Sequence, residues 1–87
     1  MREMVRHGRY VMTVPADEEA AEDGFGILDI ESVVLTGSIT ERQRDRETGD
    51  WKYVVRGETL NDRRAAVVAK IGMTGRLFIL TVYEDER

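Results

Sequence analysis

The chain has no cysteine, a single proline and a single histidine, and its most apolar run, Leu77 to Tyr83, is only seven residues long. Without cysteine there are no disulfides, no thiolate metal ligands and no thiol nucleophile. A seven-residue run falls far short of the roughly 20 residues of a membrane span. Arg2, Glu3, Arg6 and His7 break any apolar core near the start, so no signal peptide is expected and the protein is expected in the cytoplasm. Base is missing too from one long stretch. Asp17, Glu18, Glu19, Glu22, Asp23, Asp29 and Glu31 follow one another with no Lys or Arg among them. The other ten acids share the rest of the chain with all thirteen bases, so a net charge of −4 conceals a separation of sign. An acidic total argues against indiscriminate nucleic-acid binding, while a local basic face survives it.

What is present is the composition of a small globular domain, 41% hydrophobic and 34% charged over 87 residues. A single domain spanning 1–87 is expected, with residues 1–8 disordered because they show no period. A chain of this size buries only about 60–65% of its unfolded surface, so the core is thin.

Leu77 to Tyr83 reads as a strand buried on both faces near the middle of a sheet. Arg9 to Val14 alternates as a first short strand, and Pro15 suits a first helical turn with Thr13 or Val14 as N-cap. A helix from Pro15 to Asp23 stops at Gly24, and Ile27, Ile30, Val33 and Val34 form the stripe of a second helix, Ile27 to Thr36, closed by Gly37. From Ser38 the period becomes two. Strands are expected over Ser38–Asp45, Trp51–Gly57, Ala65–Ile71 and Leu77–Tyr83, with short turns between them. The order β-α-α-β-β-β-β is α+β, an antiparallel sheet with two short helices on one face.

Strand parity then says what the uncovered face displays. Placing Trp51, Tyr53 and Val55 inward, with Ile39, Ala65, Val67, Ala69, Phe78, Leu80 and Val82, leaves Arg42, Arg44, Lys52, Arg56, Lys70, Thr81 and Tyr83 on the open side. Arginine forks bind phosphate oxygens, lysine stabilises a developing oxyanion, and tyrosine stacks on a base or transfers a proton. In this reading Arg56, Lys70 and Tyr83 are the catalytic candidates and Arg42, Arg44 and Lys52 the nucleic-acid-binding ones. A plain solvated strand face has the same composition, and Glu41, Asp45 and Glu47 are near enough to neutralise part of it. His7 lies in the segment expected to fray, the run Asp17 to Asp23 lacks the spacing of a cation loop, and no metal or cofactor is implied.

Leu35-Thr36-Gly37-Ser38-Ile39, Trp51-Lys52-Tyr53, Arg56-Gly57 and Thr81-Val82-Tyr83 carry a further signal. From about Arg9 to Glu84 the chain resembles a widespread bacterial domain family of unknown function, whose members often lie beside zinc-finger antitoxins of the MqsA type. That resemblance implies kinship with RelE, ParE and MqsR toxins, a RelE-like fold, and an antitoxin protein and RNA as partners. Where many members carry Ser-His-Ala this chain has Val14-Pro15-Ala16. Two functions follow as expectations. One is a toxin-like endoribonuclease in which Arg42, Arg56 and Lys70 hold phosphate and Tyr83 assists proton transfer. The other is a non-catalytic module that meets a protein partner through the sheet face or edge.

Overall fold

The computed structural model describes residues 1–86. Its strands are β1 (Tyr10–Met12), β2 (Ser38–Arg44), β3 (Trp51–Glu58), β4 (Arg64–Ile71) and β5 (Leu77–Glu84). They form one five-stranded sheet in the order β1-β5-β4-β3-β2. The last four make an antiparallel meander, while β1 runs parallel to β5. The helices are α1 (Arg2–Arg6), α2 (Val14–Glu22) and α3 (Ile27–Thr36). The fold is α+β, as expected. The start of the chain, expected to lack order, carries α1, whose Val5 is buried in the core. No helix among the described residues is long and apolar enough to cross a membrane.

The core lies between the helices and one face of the sheet. Ala16 and Ala20 of α2, and Ile30, Val33 and Val34 of α3, meet Ala65, Val67, Ala69, Leu77, Ile79 and Val82. Residues opposite one another on neighbouring strands share a face. Val55, Val67 and Val82 therefore line up beneath the helices, as do Tyr53, Ala69 and Ile79. Thr13 proves to be the N-cap of α2, accepting from the Ala16 N–H at 3.3 Å. The turn from α3 into β2 lies directly on β3. A Cβ on Gly37 would stand 2.4 Å from the Arg56 carbonyl oxygen, and one on Gly57 would stand 2.5 Å from that of Val33. Only glycine at both positions allows this approach, which gives two of the motif residues a packing role.

Two features of the strands depart from simple alternation. The ladder between β4 and β5 shifts, pairing Val68 with Thr81 but Ala69 with Ile79, so that Leu80 bulges out of register. Its carbonyl accepts from the Thr13 hydroxyl at 3.3 Å, and the Val82 N–H donates to Glu19 at 3.3 Å, so α2 secures the bulge. The consequence is a correction to the parity of this strand. Leu77 and Ile79 face the helices, and Phe78 and Leu80 face away, the reverse of the expected parity; beyond the bulge Thr81, Val82 and Tyr83 point as expected. β5 is accordingly an interior strand beside the central β4, covered by helices on one face alone.

Trp51 also departs, in exposure though not in parity. It lies on the helix side of the sheet but is 43% exposed, as is Ile71 at the same end of β4, because the helices do not reach that end. Lys52, on the other side, is the less exposed of the two.

Candidate functional site: the uncovered face and the β2 edge

Lys52, Arg56, Lys70 and Tyr83 share the face away from the helices. Lys52 sits opposite Lys70, and Arg56 is separated from Tyr83 only by Ala66 of β4. The Arg56 guanidinium donates to the Tyr83 hydroxyl at 3.4 Å and lies 5.9 Å from the centre of its ring. Each cation of this group is matched by acid. Arg56 reaches Asp85 at 3.1 Å and Glu41 at 3.7 Å, and its Nε donates to Thr40 at 3.2 Å. Lys52 lies 3.5 Å from Asp45, and Lys70 lies 3.5 Å from Asp50. Burial alone would lower the Arg56 pKa, but Tyr83, Asp85 and Glu41 outweigh it and raise the pKa above the ordinary arginine value. The result is a neutralised network with its arginine engaged on every side. Asp85 was hidden from sequence reasoning because it stands among the charges that follow β5, where one acid looks like another.

Arg42 and Arg44 do not join this group, contrary to the parity reading. A bulge at Thr40 pairs Ile39 with Val55 but Glu41 with Val54, and so turns the rest of β2 over. Glu41 and Gln43 come to the uncovered face, while Arg42 and Arg44 sit on the helix side. There each guanidinium carbon lies 5.5 Å from the centre of the Trp51 ring. Neither arginine makes an ion pair with any described residue. His7 lies at the end of α1, 3.4 Å from Glu3, and both side chains are exposed. No group of three or more His, Asp or Glu among the described residues could hold a metal.

The two edges of the sheet differ sharply. On the β1 side the paired strand is three residues long, and beyond it the rim of β5 is closed by α2 and the residue after it. Glu19 accepts from the Val82 N–H, and Asp23 accepts from the Glu84 N–H at 3.2 Å. Two members of the acidic run thus cap backbone amides, a role its composition did not disclose. Arg63 completes that rim by donating to the Asp23 carbonyl at 2.9 Å, pairing with Glu84 and stacking on Phe25. On the other side β2 is seven residues long, every one of them exposed, and among the described residues no further strand pairs with its outer rim. Beside its start, on the helix side, lies a hollow of about 530 Å³ floored by Val34, Ile39 and Val55 and rimmed by Arg2, whose guanidinium donates to the Gly37 carbonyl at 2.9 Å.

No curated protein and no solved structure matches the chain. A family model described as a domain of unknown function (DUF4258) matches residues 12–84, which span all five strands but for the first two residues of β1, and the chain belongs to that family.

Proposed function

We propose that the chain is a cytoplasmic protein-binding domain that accepts an extended segment of a partner along β2, and that it is not a nuclease. The observation that carries this reading is the unequal treatment of the two edges. One is a three-residue strand beyond which Glu19 of α2 and Asp23 cap the rim of β5, whereas the other is a seven-residue strand whose outer rim pairs with no other described element. A bulge at Thr40 and the charges of Glu41, Arg42 and Arg44 blunt this rim against indiscriminate pairing, but it keeps its length and stays uncovered, and strand addition is a common use of such an edge. Selecting a displayed library of extended peptides on the protein tests it. A selected peptide should lose binding when alternate backbone amides along one edge are N-methylated. Equal binding by every N-methylated form would contradict strand addition.

The endoribonuclease reading keeps one observation in its favour, the contact between Arg56 and Tyr83. It also needs Arg56 to leave Asp85 and Glu41 before it can meet a phosphate, and Lys52 and Lys70 to leave their acids. Under kinship with RelE, ParE and MqsR toxins, the segment docking on β2 would belong to an antitoxin. Incubating the protein with single-stranded RNA decides this reading: cleavage abolished by Tyr83→Phe supports it, and intact RNA removes it.

A further inference from the structure

The helix-side flank of β2 has a chemistry that the rest of the molecule does not. Along the strand come first Ile39, half-exposed beside the hollow floored by Val34 and Val55, and then Arg42 and Arg44 over the Trp51 ring. These two arginines have no carboxylate partner among the described residues, unlike Lys52, Arg56, Arg63 and Lys70; Arg9, Arg46, Arg64 and Arg76 have none either, but none of those lies over an aromatic ring as Arg42 and Arg44 do over Trp51. A segment added to β2 would place every second side chain on this flank.

We propose that the partner segment is acidic: an extended peptide from another protein with carboxylates at alternate positions facing Arg42 and Arg44, and a branched apolar side chain facing Ile39. This rests on the reading of β2 as a docking edge and adds what docks there. Three considerations select this occupant. Carboxylates form paired hydrogen bonds with a guanidinium, and Trp51 holds both guanidinium groups on one side of the strand. A second copy of the chain is disfavoured, since antiparallel pairing of two β2 strands brings a second Arg42 and Arg44 and no acid to that flank, and full overlap sets Glu41 against Glu41 on the other face. RNA supplies phosphate for the arginines but cannot reproduce the alternating N–H and C=O groups that a strand rim requires.

Trp51 is the only tryptophan of the chain, so its fluorescence reports on this flank directly. The probes are a synthetic peptide alternating Glu with Thr and ending in Ile, its Gln-for-Glu and Lys-for-Glu versions, and a single-stranded RNA oligonucleotide. The acidic peptide should shift the Trp51 emission saturably and bind about tenfold tighter than the Gln version at low salt, with the gap closing as salt is added. In the R42Q/R44Q variant the acidic and Gln peptides should bind alike. Equal binding of the two by the wild type would overturn the acidic preference and leave strand docking in place. If none of the peptides moves the emission, docking at β2 falls, and the proposal falls with it. RNA binding tighter than the acidic peptide and lost in R42Q/R44Q would likewise overturn it.

Discussion

Arg56 Nη1 lies 3.1 Å from Asp85 Oδ1, and the Asp85 side chain is only 3% exposed. This pair ties the end of β5 to the middle of β3 across the uncovered face, with Tyr83 and Glu41 alongside. Removing one partner of a buried pair typically costs about 3–5 kcal/mol, because the other charge stays behind. Asp85→Asn keeps a hydrogen bond to Arg56, and Glu41 remains, so a loss of about 1–3 kcal/mol is expected. The urea midpoint measures it. An unchanged midpoint would contradict a structural role for the pair.

Gly57→Ala should be costly, although alanine is the smallest possible addition. The new methyl would stand 2.5 Å from the Val33 carbonyl oxygen and 2.8 Å from the Gly37 Cα, all backbone, so no side chain can swing away. Displacing α3 from β3 is expected to cost about 1–3 kcal/mol or more, as overpacking does. A thermal midpoint equal to that of the wild type would show that the helix moves freely.

The bulge at Leu80 makes a prediction opposite to that of plain alternation. Ile79 is 1% exposed beneath the helices, so Ile79→Ala should lose about 2–5 kcal/mol. Leu80, half-buried on the uncovered face, should lose less on the same substitution. Denaturation of the two variants side by side tests the register, and a larger loss at Leu80 would restore the simple alternation.

The difference between what the sequence disclosed and what it concealed lies in these bulges. The helix Ile27 to Thr36 and the starts of β2, β3 and β5 were legible because hydrophobic period and glycine stops mark them directly. Neither bulge carries a proline or a glycine to announce it. Thr40 and Leu80 look like ordinary members of alternating strands, and one inserted residue reverses every side chain beyond it. Hence Arg42 and Arg44 were expected beside Lys52 but stand beside Trp51. That Arg56 and Tyr83 share the uncovered face was legible because β3 carries no shift against β4 and Tyr83 lies beyond the bulge of β5, but which cation Tyr83 meets depends on the strand order. The capping roles of Glu19 and Asp23 depend on where β1 ends, which only the assembled sheet reveals.

Alkaline titration should single out Tyr10. Burial, and then the hydrogen bond and negative charge of Glu31, push its pKa up to about 12 from the ordinary 10.0. A raised value means that the folded state keeps the proton longer than the unfolded chain does. The associated stability is therefore complete below pH 10 and is lost as the pH rises towards 12. Stability measured against pH should show this decline in the wild type and lack it in Tyr10→Phe. The same decline in both proteins would assign it to another group.

Amide hydrogen exchange resolved by residue, with and without the acidic peptide, tests docking at β2 most directly. Free protein should exchange quickly at outward-facing amides of Ser38–Arg44, since no described strand pairs with that rim. Bound peptide should slow alternate amides of β2 by at least about tenfold while leaving β4 and β5 unchanged. Protection appearing instead around Arg56, Lys70 and Tyr83, with β2 still exchanging freely, would contradict the β2 edge as the binding surface.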